Sequence, residues 1–415
     1  MKKFLLESFF KSIRHCDFRV VYWDGEVVNY GTGEPKLTLI FRQSPPLDFD
    51  LRDPLLAFGE AYMDEVIDFK GDWDEIIRII ELNKDHLIKA GFGGKMLSAL
   101  QTLSGSASKE RQKENIQHHY DLGNDFFSLW LDRTMSYSCA YFKSPDLSLY
   151  RAQVAKIDHI LKKLCLRPGE RLLDIGSGWG WLIIRAAELY DAKALGITLS
   201  EEQYYATRER IDSLGLSDRV DVKLMNYLDL DETQQQFDKI VSVGMFEHVG
   251  KDNLGKYMEK VNKLLVPGGL SILHTITNMV EKTYGNSWME KYIFPGGYVP
   301  SLRETVWLLP EHDFHLLHAE SLRLHYALTL DHWYNNFVEH VDEIEQRFGR
   351  RFVRMWSLYL QGAAASFRVS GLDIHQLLFS KGLNNNLPLT FAHVYENGCA
   401  SAAMEMERIC ENAHL

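Results

Sequence analysis

Apolar positions in the second half of the chain fall into short β-rich runs, RLLDIG, KALGIT, VDVKLM, KIVSVGM and LSILHTI, separated by stretches of helical period. That alternation predicts successive βαβ units, and so an α/β fold with a parallel, doubly wound, Rossmann-like sheet. The first half reads differently. Residues 15–50 hold FRVVYW, then Asp24-Gly25, then EVVNYG and KLTLIF. A two-residue Asp-Gly loop between β-rich runs predicts a hairpin. Pro45-Pro46 ends that series, and a mixture of helix, strand and helix follows up to about residue 80.

These patterns divide the chain into a small α+β N-terminal domain over 1–90, a linker rich in Gly, Ser and Lys over 91–113, and a larger domain over 114–415. Within the larger domain, residues 278–300 are rich in glycine and aromatics and lack periodicity, which suggests an active-site insertion. A helix at 301–309, a strand near 315–324, two long helical stretches across 327–366 and a last strand near 374–380 complete the expectation.

Composition narrows the class. A chain of 415 residues with 46% apolar and 25% charged content reads as soluble and globular, too long for one ordinary core. No run of about 18 apolar residues is present to span a membrane. The N-terminus, MKKFLLESFF, lacks a small-residue cleavage site, and Glu7 interrupts its apolar run, so it reads as the start of a domain. Five scattered cysteines form no metal-binding spacing, which predicts no metal and fits a reducing cytoplasm. The net charge of −11 argues against nucleic acid as a partner and confines any membrane contact to local patches.

The most informative motif is Leu172-Leu173-Asp174-Ile175-Gly176-Ser177-Gly178-Trp179-Gly180, an apolar strand entering a glycine turn that opens a helix. Such a turn lets a ligand approach the backbone and offers it free N–H groups. The spacing is G-x-G-x-G after a strand-terminal Asp174, the form that resembles S-adenosylmethionine methyltransferases. The second strand ends Gly196-Ile197-Thr198-Leu199-Ser200, without the acidic residue common there, so Thr198 and Gln203 would supply neutral hydrogen bonds. Asn226 and Tyr227, after the third strand, suit adenine contact, with core packing as the other reading of Tyr227.

Upstream lie His119–Phe127 (HYDLGNDFF) and Tyr137–Phe142 (YSCAYF); downstream lie Val243–Gly250 (VGMFEHVG), His274-Thr275-Ile276 and Lys291–Gly297 (KYIFPGG). In this order around the glycine turn, these segments resemble the cyclopropane-fatty-acyl-phospholipid synthase family over essentially the whole chain. Residues 59–73 resemble that family's small N-terminal domain. The resemblance implies methyl transfer from S-adenosylmethionine to a cis double bond of an unsaturated phospholipid acyl chain in a bilayer. Loss of a proton from the new methyl group then closes a cyclopropane, with bound bicarbonate as base. It implies bicarbonate ligands at Cys139, Glu247, His274, Ile276 and Tyr326. It further implies cofactor contacts at Tyr137, Ser138, Gly176, Gly178, Thr198, Leu199 and Gln203. The family's usual glycine loop has Cys where this chain has Ser177.

Glu247 and His274 follow the predicted fourth and fifth strands, which would set both at the carboxyl edge of the sheet, where open α/β folds bind ligands. Bicarbonate carries its own O–H and can donate it to a carboxylate. The aromatic insertion (Tyr284, Trp288, Tyr292, Phe294) would shield a carbocation from water. Each residue also has a plainer reading: Cys139 as a buried small side chain, Glu247 as a helix cap, His274 as a satisfied core histidine, and His118, His119 and His248 as structural. The stretch Arg347–Trp356 is either a solvated helix face with a buried stripe or a phosphate-headgroup contact at a membrane surface. Residues 1–90 are expected to present lipid and to form a homodimer. Two alternatives accompany cyclopropane synthesis: methyl transfer giving a methylene- or methyl-branched chain, and a catalytically inactive lipid-binding protein.

Overall fold

The computed structural model describes residues 2–90, 122–281 and 286–395. The linker expected at 91–113, His118, His119 and Tyr284 lie outside them. Two compact units divide the chain. One gathers Met1–Gly105, Tyr284–Pro295 and Trp333–Gly371; the other gathers Ser106–Thr283, Gly296–His332 and Leu372–Leu415.

The first unit begins with α1 (Lys2–Ser12), β1 (Phe18–Val21), β2 (Val27–Tyr30), β3 (Leu37–Phe41), α2 (Pro54–Met63), β4 (Ile67–Lys70) and α3 (Trp73–Ala90). Its sheet runs β2-β1-β3-β4, with β1 parallel to β3 and the other pairs antiparallel. The Asp24-Gly25 hairpin forms, but Tyr22 N–H donates to Glu26 O (2.8 Å), so its loop is the three residues Trp23–Gly25. Gly25, at φ +87°, supplies the left-handed position that a three-residue loop needs. Phe10, Phe18, Val20, Tyr30 and Phe41 pack in the core of this unit.

The second unit carries α4 (Asn124–Ser128), α5 (Leu149–Lys163), β5 (Arg171–Ile175), α6 (Trp181–Tyr190), β6 (Lys193–Thr198), α7 (Glu201–Ser213), β7 (Val220–Leu224), β8 (Phe237–Val243), α8 (Leu254–Leu264) and β9 (Leu265–Asn278). Beyond them come α9 (Ser287–Tyr292), α10 (Leu302–Glu311), β10 (Phe314–Ser321), α11 (Arg323–Glu339), α12 (Val341–Phe348), α13 (Arg350–Val369), β11 (Leu372–Lys381) and α14 (Ala392–Tyr395). Of these, α9, α12 and α13 fall in the first unit.

Seven strands form the second sheet, in the order β10-β11-β9-β8-β5-β6-β7. Strands β5 to β9 run parallel, as the βαβ pattern predicts, while β11 is antiparallel to both its neighbours. Apolar residues of α5, α6 and α7 bury one face of the sheet, and those of α8 and α10 bury the other. From β5 the chain order runs to β6 and β7 on one side and to β8 and β9 on the other. Their carboxyl ends therefore flank a crevice, where ligands of such sheets bind.

The aromatic insertion and the basic stretch both take part in the first unit. Trp288 is buried, its Nε1–H 3.2 Å from Met63 Sδ, while Tyr292 and Lys291 each donate to Glu60 Oε1 at 2.6 Å. Arg350 meets Glu345 and Glu65, and Arg351 meets Asp64 at 2.7 Å. Arg354 is buried, donates to the carbonyls of Tyr62 and Ile67, and stacks 3.8 Å from the Tyr62 ring centre. The cations of the basic stretch are thus engaged inside the unit, which favours the reading of a helix face with a buried stripe. Helix α13 also packs on α2 and α3, so this unit draws on chain far beyond residue 90.

Candidate active site

The turn after β5 is shaped by three glycines, Gly176, Gly178 and Gly180, at φ +85°, +55° and +83°. L-residues with side chains rarely adopt such angles. The N–H groups of Gly176 and Ser177 both donate to Ile197 O at 3.0 Å, which ties the turn to β6. The glycines are not equivalent. A Cβ on Gly180 would lie 2.3 Å from Thr207 Cγ2, and one on Gly176 3.0 Å from Met245 Cβ. On Gly178 it would meet nothing within 4 Å, so this position opens into the cleft.

Every residue expected to contact the cofactor lines this one cleft. Tyr137, Ser138, Asp174, Gly176 and Gly178 form one part of the lining; Thr198, Leu199, Gln203, Asn226 and Tyr227 form another. Thr198 Oγ1 donates to Gln203 Oε1 at 2.7 Å and accepts from Ser200 N, so the end of β6 is neutral and hydrogen-bonded. Asn226 Oδ1 accepts from Leu228 N (3.0 Å), and Tyr227 packs edge-on against Tyr257. Tyr227 therefore serves the core as well as the cleft.

The charged lining was only half legible in the sequence. Asp174 is buried, its Oδ1 has no hydrogen-bond partner among the described residues, and burial pushes its carboxyl up to about 7. Lys156, which no motif flagged, is also buried in the wall. Burial brings its ammonium down to about 8, and its Nζ donates to Ser138 Oγ at 3.0 Å. Asp174 and Lys156 thus bring a carboxyl and an amine to a wall that also carries Ser138, Thr198, Gln203 and Asn226.

Lys156 sits on α5 in a stripe with Gln153, His159 and Lys163, all four buried. A polar stripe at helical spacing normally faces water; here it lies against other polar groups. The Gln153 amide donates to the carbonyls of Ser136 and Ser138, and His159 and Lys163 meet Glu320.

The residues expected to hold bicarbonate are joined by a continuous run of contacts. Glu247 stands in a short 3-10 turn, Phe246–His248, just past β8. Its Oε1 accepts the Ile276 N–H of β9 at 2.6 Å, rather than capping its own turn. Ile276 pairs with Ile374 of β11, whose carbonyl accepts from Leu322 N (2.8 Å). Leu322 O accepts from Tyr326 N (3.0 Å) and lies 3.9 Å from Cys139 Sγ. Strand β9 also carries His274, two positions before Ile276 and so on the same face. Ile276 acts here through its backbone, which orients Glu247.

Two polar atoms in this group are buried without a hydrogen-bond partner among the described residues: Glu247 Oε2 and His274 Nε2. Burial raises the Glu247 carboxyl above its usual range and holds the His274 imidazole far below, so the ring is neutral. The Cys139 thiol is pushed up by burial and stays protonated. Each orphaned buried polar atom costs about 1–3 kcal/mol, and both lie on or beside residues at the carboxyl ends of β8 and β9.

A parallel sheet with this glycine turn and cleft defines a Rossmann-like S-adenosylmethionine methyltransferase. Residues 107–377 match the family described as mycolic acid cyclopropane synthetase, and residues 5–91 match a domain of unknown function. The chain is 37% identical over 390 residues to a "Probable fatty acid methyltransferase" of Pseudomonas putida, covering 92% of this chain and 97% of that one. It is 38% identical over 347 residues to the cyclopropane-fatty-acyl-phospholipid synthase of Escherichia coli K12, covering 81% and 86%. With the tuberculostearic acid methyltransferase UfaA1 of Mycobacterium tuberculosis it shares 34% over 395 residues, covering 88% of each. Among solved structures, mycolic acid cyclopropane synthase CmaA1 complexed with SAH and CTAB superposes with a TM-score of 0.61 at 34% identity, covering 65% of this chain and 98% of that one. The chain belongs to the mycolic acid cyclopropane synthetase family and is an S-adenosylmethionine-dependent methyltransferase of the cyclopropane-fatty-acyl-phospholipid synthase type. No helix among the described residues is long and apolar enough to cross a membrane.

Proposed function

We propose that this enzyme converts the cis double bond of an unsaturated phospholipid acyl chain to a cyclopropane, with bicarbonate held by Glu247, His274, Cys139 and Tyr326. The observation that carries the reading is the pair of partnerless buried atoms, Glu247 Oε2 and His274 Nε2. One accepts a hydrogen bond and the other, in a neutral ring, can donate one; bicarbonate offers one O–H and two oxygens. The phospholipid substrate rests on the similarity to the Escherichia coli synthase.

When bound, S-adenosylmethionine supplies the methyl electrophile and bicarbonate the base that removes a proton from the transferred methyl group. The chain's own residues set the conditions for both. Glu247 carries its charge reluctantly, which suits an oxygen that must accept an O–H rather than repel an anion. His274 is fully buried and neutral, so it can donate from Nε2 without neutralising the base by proton transfer. Cys139, fully buried and protonated, is no competing nucleophile, and its thiol donates to Ala140 O at 3.2 Å. With so little water in reach, each of these hydrogen bonds is strengthened.

A second reading is methyl transfer without ring closure, favoured by the names of the Pseudomonas and tuberculostearic relatives. Mass spectrometry of lipids from an expressing host separates the two. Cyclopropanation adds one CH2 and leaves a chain resistant to ozonolysis; a methylene-branched product adds the same mass and is still cleaved. Lipids unchanged in mass would contradict both.

A further inference from the structure

Behind His274 runs a chain of polar groups in the second unit, buried from His274 to Lys163 and reaching the surface at Tyr395. Lys163 Nζ donates to Gln376 Oε1 at 2.8 Å and to Glu320 Oε2 at 2.5 Å. Gln376 Nε2 lies 3.1 Å from His274 Nδ1. Glu320 is held in turn by His159 (2.6 Å) and by the Tyr395 hydroxyl (3.1 Å). Lys163 is 1% exposed, and Gln376 and His274 are 0% exposed, so water cannot take a partner's place between Lys163 and His274.

The donor and acceptor roles along this chain follow from the lysine. An ammonium can only donate, so the Gln376 carboxamide must turn its oxygen to Lys163. Its NH2 group then faces His274 and can only donate, so Nδ1 must accept. The ring proton is left on Nε2, the atom without a partner among the described residues. Protonating the ring would set an N–H against an N–H.

We propose that Lys163 and Gln376 are positioning residues that lock His274 as the neutral Nε2–H tautomer, and so present a fixed donor to the anion site. The lock itself follows from the buried chain; its consequence for turnover rests on the bicarbonate reading above. Without it a buried imidazole could hold its proton on either nitrogen, and the tautomer protonated on Nδ1 would offer the anion a lone pair.

Nitrogen NMR of enzyme labelled with 15N-histidine reads the tautomer directly, with His274 identified by the signals missing from His274→Gln. In the native enzyme Nδ1 should be unprotonated and Nε2 protonated. Lys163→Met frees the carboxamide to turn over. It should move the His274 signals toward a protonated Nδ1 and raise the bicarbonate needed for half-maximal turnover about tenfold, the effect of losing one hydrogen bond. S-adenosylmethionine affinity should stay unchanged, and Lys163→Arg, which keeps a donor, should recover most of the loss. A protonated Nδ1 in the native spectrum overturns the proposal, and that spectrum does not depend on whether Lys163→Met folds. An unchanged tautomer in folded Lys163→Met overturns it equally. The expected tautomer in an enzyme indifferent to bicarbonate contradicts the anion site and leaves the lock standing.

Discussion

The glycine turn presents Asp174 to Gly180 from seven consecutive residues, whereas the proposed anion site draws Cys139, Glu247, His274 and Tyr326 from four segments between residues 139 and 326. The first is backbone geometry: three left-handed glycines and two N–H groups tied to Ile197. The second is a set of side chains: Glu247 and His274 are held by partners on β9 and β11, and Cys139 lies 3.9 Å from Leu322 O. A backbone site needs particular residues at particular spacings. A side-chain site needs a supporting layer, and its failures should come from that layer as readily as from the residues that meet the ligand.

The comparison is broken most sharply at Glu247. Glu247→Gln keeps size but turns an acceptor oxygen into either an amide oxygen or an NH2 group. It should bind S-adenosylmethionine normally in calorimetry and lose about 10²–10⁴-fold in turnover. Near-native turnover would make the carboxylate structural. At the turn, Gly176→Val places a Cβ against Met245 at a left-handed φ. No S-adenosylmethionine binding should be measurable in the folded variant; ordinary affinity would remove the turn from the cofactor site.

A smaller and opposite effect is expected at Asp174, where function and stability conflict. Its carboxyl is pushed from 3.8 to about 7 by burial. The folded protein therefore keeps a proton that the unfolded chain releases, and stability falls as pH rises from about 4 through 7. Asp174→Asn removes that dependence. The ligand-free variant should melt higher than the native enzyme at pH 8, by the equivalent of about 2–4 kcal/mol, and the gap should narrow toward pH 5. A constant gap, or a less stable variant, would mean the carboxylate has a compensating partner.

What the sequence disclosed follows the same division. The alternating runs mark β5 to β9 along the chain and their parallel pairing, and the glycine turn falls where the D-x-G-x-G spacing places it. All ten expected cofactor residues line one cleft because most of them sit at the ends of those strands. Lys156, Lys163 and Gln376 were not found. Lys156 and Lys163 lie seven residues apart on α5, in a polar stripe that a sequence assigns to solvent. Gln376 is one of five polar residues in β11, and nothing in the strand's pattern separates it from Asp373, His375, Ser380 or Lys381. Their roles arise only when β9, β11 and α5 are brought together, which no local pattern encodes. The first unit shows the same limit: the hairpin was visible, but the recruitment of α9 and α13 from far along the chain was not.

Whether Glu247 and His274 hold a bicarbonate ion that serves as base is read from the carbonate dependence of the native enzyme. Turnover on unsaturated phospholipid vesicles would be measured in carbonate-free buffer under inert gas, then with bicarbonate restored at constant pH. Turnover should be slow without carbonate, then rise and saturate with bicarbonate, while S-adenosylmethionine affinity stays constant. Full turnover without carbonate, unchanged on its addition, would contradict the bicarbonate reading and send the proton by another route.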